Sequence, residues 1–122
     1  MLAPDTFLNA ASELGIAFDD GDVERLGQFL EFMLETNKTH NLTAITDPVE
    51  AWERHILDAL TLLPVILQVE ARSLIDIGSG GGVPGIPLAI ALPDVRMTLV
   101  EATGKLSLIH ISEPTRQKPL AD

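Results

Sequence analysis

Residues 73–85 read SLIDIGSGGGVPG: an apolar run of strand length gives way at once to glycines at 78, 80, 81, 82 and 85. Leu74, Ile75 and Ile77 predict a short, mostly apolar strand, Ile86 to Leu92 a helix ended by Pro93-Asp94, and Val95 to Val100 a second strand. The chain is therefore expected to be α/β, with a β-α-β unit. In such a unit the glycines permit positive φ and let a ligand approach the backbone, while the following helix starts against it. An acid, Glu101, ends the second strand about 20 residues on, where a carboxylate receives ribose hydroxyls. This context favours a nucleoside cofactor over a bare glycine turn.

Charge separates the candidate cofactors. A dinucleotide sets an anionic pyrophosphate on the glycine turn, and Asp76 would repel it there. S-adenosylmethionine carries a cationic sulfonium and a cationic α-amino group, which an acid attracts. The spacing Asp76-x-Gly78-x-Gly80-x-Gly82 thus suits S-adenosylmethionine better than NAD. A carboxylate that merely caps the turn is the alternative for Asp76.

Residues 1–72 read as a helical segment. Phe7, Leu8, Ala11 and Leu14 recur at helical spacing with Gly15 as a stop, and Val23, Leu26, Phe29, Leu30 and Met33 form one face of a longer amphipathic helix. NLTAI breaks the pattern. Asp47-Pro48 then opens a helix through EAWERHILDALTLL, and Pro64 starts or kinks the next turn. Most of Phe7, Phe18, Phe29 and Phe32 are expected to pack in the core rather than to stack on bases.

A chain of 122 residues without cysteine is at most one ordinary domain with no disulfide framework, and a reducing cytoplasm is its expected compartment. Its N-terminus lacks the basic start and apolar stretch of a secretory signal, and no run approaches the ~18 apolar residues of a membrane span. The formal charge of −10 reads as a solvated acidic face, since Arg25 and Lys38 are the only bases among the first 50 residues. His40, His55 and His110 have no partners at metal-site spacing, so no metal is expected.

NKTHNLTAITDP, then ERHILDAL, then IDIGSGGGVPGIPLAI and TLVEATGK together resemble the bacterial small-subunit ribosomal RNA guanine-N7 methyltransferases, also called glucose-inhibited division protein B. The resemblance runs to Lys105. It implies N-terminal helices followed, at 73–105, by the first part of a Rossmann-like class I methyltransferase domain. It also implies methyl transfer from S-adenosylmethionine to N7 of a guanine in 16S ribosomal RNA, in the cytoplasm, by a protein that is a monomer when intact. Asp76, Gly78, Gly80, Gly82 and Gly85 would line the methionine side of the cofactor, and Glu101 would take the ribose hydroxyls. Arg54, His55 and Asp58 lie in the family's RHILD motif, beside cofactor and substrate. An ordinary ion pair between Arg54 and Asp58 is the competing reading. Asn37, Asn41 and Thr43 match the family's NLT segment, where Asn41 could instead be a simple cap. Thr36 stands where the family usually has Trp.

Residues 106–122, LSLIHISEPTRQKPLAD, continue none of these motifs and resemble translated sequencing-adapter DNA. They are expected to be non-native, and the chain on its own to be inactive. Two other functions compete: an NAD-dependent oxidoreductase fragment, and a non-catalytic helical module in which the glycine turn is purely structural.

Overall fold

The computed structural model describes residues 1–78 and 83–100, together with the backbone of 106–107. Gly80, Gly82, Glu101, Lys105, His110 and the tail beyond 107 lie outside the described residues.

The helical part begins with α1 (Asp5–Glu13), which ends before Gly15 at φ +80°, as its position after the last apolar residue predicts. The longer α2 (Asp22–His40) buries Leu26, Leu30 and Met33 along one stripe. Its first residue, Asp22, is itself buried. One carboxylate oxygen accepts from the Asp19 amide at 3.0 Å and the other from Arg25 at 2.8 Å, so the charge is not left uncompensated.

Asp47 caps the next helix by accepting the Glu50 amide at 2.9 Å, with Pro48 at its start. Here the structure departs from the regular helix expected. A short α3 (Pro48–Ala51) runs into a π-helical turn (Trp52–Leu57) and then into α4 (Asp58–Leu60), and the Asp58 amide donates to the Glu53 carbonyl, five residues back. The widened turn accommodates one extra residue while Trp52, Ile56, Ala59 and Leu60 all stay buried. After α5 (Leu63–Gln68) the chain enters β1 (Ser73–Ile77).

β1 and β2 (Arg96–Val100) pair in parallel, from Ser73 opposite Arg96 to Ile77 opposite Val100, with α6 (Gly85–Ala91) as the crossover helix. The β-α-β unit is thus as expected. β3 (Leu106–Ser107) returns antiparallel to β2, with Leu106 opposite Val100, and completes the order β1-β2-β3. No strand is expected there from the sequence. An antiparallel return needs only a short connection.

One core joins the two parts: Phe7, Leu26, Leu30, Trp52 and Ile56 cluster with Leu88, Met97 and Leu99, and both α2 and α4 pack on α6. Phe7 lies 4.7 Å from Trp52 and 6.1 Å from Phe18, centroid to centroid, so these aromatics are packing residues as expected. Phe29 is half-buried against the same core, whereas Phe32 is 71% exposed and contributes little to it. No described helix is long and apolar enough to cross a membrane.

Candidate functional site

The C-terminal end of β1 carries the first cluster. Alternation along the strand leaves Ile75 and Ile77 exposed and turns Asp76 to the half-buried side. Gly78 follows at φ +76°, a conformation that glycine adopts without strain, and its amide donates to the Val100 carbonyl at 2.6 Å. Asp76 Oδ2 accepts the amide of Gly85, the first residue of α6, at 2.9 Å. A Cβ on Gly85 would stand 2.5 Å from Leu99 Cδ2 and 2.7 Å from Asp76 Oδ2, so a side chain at the start of α6 would force Leu99 or Asp76 to shift. The capping role considered for Asp76 is therefore realised. It also places a carboxylate against the helix start, where a phosphate would otherwise find a free donor. Ile75, Asp76, Ile77 and Gly85, with Leu62 and Val65, line a groove of about 240 Å³.

The second cluster lies on the helical part. Asn37, buried near the end of α2, accepts the Thr43 amide through Oδ1 at 2.7 Å. Thr43 Oγ1 accepts the Ile45 amide at 3.1 Å and stands 2.9 Å from His55 Nε2. Burial removes water from the His55 ring and holds its pKa below the ordinary histidine value. Asn41 is the left-handed C-cap of α2, at φ +49°, which realises the simple cap role. Asn41 and Thr43 also line a second groove, of about 630 Å³, with Asn37 and Lys38.

The ion pair between Arg54 and Asp58, the competing reading for these residues, is not formed. Arg54 Nε instead lies 3.4 Å from Glu50 Oε2, and both side chains are largely exposed. Asp58 begins α4, just past the π-helical turn that holds Arg54. Asp58 is exposed. The two grooves share no lining residue, and Arg54, His55 and Asp58 line neither. No cluster of three or more metal-ligating side chains occurs among the described residues. The bond between Thr43 and His55 escapes sequence reasoning, because the two are 12 residues apart across a loop and no periodicity relates them.

The family model for rRNA small subunit methyltransferase G matches residues 22–108, a span that contains both clusters. The chain belongs to the GidB family. A GidB relative from Sorangium cellulosum, a ribosomal RNA small subunit methyltransferase G, is 52% identical over 103 residues, which are 84% of this chain and 43% of the relative. Proteins of the same name from Ectopseudomonas mendocina and Pseudomonas aeruginosa are 44% and 43% identical over 80% and 83% of the chain. The chain spans less than half the length of these GidB relatives.

Proposed function

We propose that these residues form the cofactor-gripping part of an S-adenosylmethionine-dependent methyltransferase of Rossmann-like fold, and that the whole protein methylates N7 of a guanine in 16S RNA of the small ribosomal subunit, in the cytoplasm. The bond between Asp76 and Gly85 carries this reading. The first amide of α6 is already satisfied by a carboxylate, so the loop lacks that donor for a pyrophosphate and offers negative charge to a cationic ligand. Asp76, Gly78 and Gly85 would hold the methionine end of the cofactor. Gly80, Gly82 and Glu101, outside the described residues, are assigned by resemblance alone.

When bound, S-adenosylmethionine supplies an electrophilic methyl group, released as its S–C electron pair returns to sulfur. Guanine N7 has a free lone pair and no proton to lose, so no general base is required of this chain, whose task is orientation. At a formal charge of −10 the chain supplies little phosphate-neutralising surface. We therefore assign most RNA contact to the part of the relatives' length that it does not span.

Calorimetric titration of the 122-residue chain with S-adenosylmethionine and, separately, with NAD tests the cofactor assignment. Binding of S-adenosylmethionine that Asp76→Asn weakens tenfold or more is expected. Binding of NAD in its place, or of neither, would overturn the assignment for these residues.

A further inference from the structure

Thr43 Oγ1 meets two nitrogens at once. The Ile45 amide can only donate, so it occupies a lone pair of the hydroxyl oxygen. The oxygen keeps a second lone pair, but the hydroxyl proton has one acceptor among the described residues, Nε2 of His55 at 2.9 Å, and only an unprotonated Nε2 makes use of it. An imidazole nitrogen that accepts carries no proton, which leaves the ring proton on Nδ1. The backbone around Thr43 is fixed as well, because its own amide is held by the buried Asn37 side chain at 2.7 Å. His55 for its part sits in the π-helical turn, a distortion that recurs at functional sites because it re-aims side chains.

We infer that Thr43 is a positioning residue that locks His55 as the Nδ1–H tautomer, so that the ring presents one fixed N–H donor at Nδ1. The tautomer does not rest on the methyltransferase reading above. Free histidine side chains favour the opposite, Nε2–H form, so the lock has a visible consequence.

Long-range nitrogen–proton correlation spectra of the 15N-labelled 122-residue chain at pH 7.5 read the tautomer directly, without methyl transfer. The wild-type His55 signal is expected to report Nδ1–H. Thr43→Val should move most molecules to Nε2–H, and Thr43→Ser, which keeps the hydroxyl, should retain Nδ1–H. An Nε2–H wild-type ring, or a Thr43→Val spectrum unchanged from wild type, would overturn the inference. If Thr43→Val does not fold, the wild-type and Thr43→Ser rings decide: Nδ1–H in both supports the lock, and Nε2–H in either overturns it. A failure of S-adenosylmethionine binding would leave these spectra unaltered, so the two readings fall separately.

Discussion

Asp76 Oδ2 and the Gly85 amide, nine residues apart in sequence, meet at 2.9 Å and so tie the end of β1 to the start of α6. Strand end and helix start then bracket the glycine loop with a fixed opening. The same carboxylate brings negative charge to the groove lined by Ile75, Ile77 and Gly85.

Asp76→Ala would leave the Gly85 amide without its partner at a half-buried site, and should cost about 1–3 kcal/mol of stability. Asp76→Asn keeps an acceptor oxygen and should cost less, while losing the negative charge. Urea unfolding followed by circular dichroism separates the two. Equal losses for both variants would mean that the bond contributes nothing beyond the charge.

Gly85→Ala attacks the same contact from the other side. Its Cβ would lie 2.5 Å from Leu99 Cδ2 and 2.7 Å from Asp76 Oδ2, and overpacking of this kind typically costs about 1–3 kcal/mol. A thermal midpoint equal to wild type would show that helix and strand can separate freely.

Trp52 is buried to 1% exposure, packs on Phe7, and its Nε1–H has no partner among the described residues. Trp52→Ala should cost about 3–5 kcal/mol through the cavity it leaves. Trp52→Phe also leaves a cavity, but it removes an unsatisfied donor whose burial costs about 1–3 kcal/mol. The Phe variant should therefore unfold at a urea midpoint much closer to wild type than the Ala variant. Comparable midpoints for the two, which both lose the indole N–H, would show that filling the ring's volume contributes little there.

How much of this was legible beforehand varied with the physics involved. The β-α-β unit was readable because strand, glycine turn and helix each leave a local signature in 73–100. The cap at Asp47 and the stop at Gly15 were readable for the same reason. The π-helical turn was not, since WERHIL carries no breaker and the distortion arises from how Trp52 and Ile56 seat in the core. The pairing of Arg54 with Glu50 rather than with Asp58 was not legible either, since both acids lie four residues from Arg54. Asp76 was singled out for its charge, but its choice of Gly85 as partner depends on the course of a loop that spacing cannot give. The contact between Thr43 and His55 is tertiary and left no trace in sequence.

Arg54 and Glu50 are both largely exposed, and surface pairs of this kind contribute about 0–1 kcal/mol. Arg54→Ala should therefore leave the urea midpoint nearly unchanged at moderate salt. A loss well beyond that range would assign the side chain a structural role that its exposure does not suggest.

His55 gives the fold a pH dependence whose sign follows from burial. Its folded pKa is lowered by desolvation from the ordinary value of 6.5. Between those two values the unfolded chain binds a proton that the folded chain does not, so stability rises with pH across that window. The contribution is fully present above about 6.5, is lost as pH falls through the folded value, and levels off below it. His55→Gln removes the titration, so subtracting its urea midpoints from those of wild type at pH 7.5 and pH 5 isolates the histidine from the many carboxylates. Wild type should lose more stability than the variant on acidification. The opposite ordering would mean that the folded environment favours the charged ring, and with it that Thr43 is not donating to Nε2.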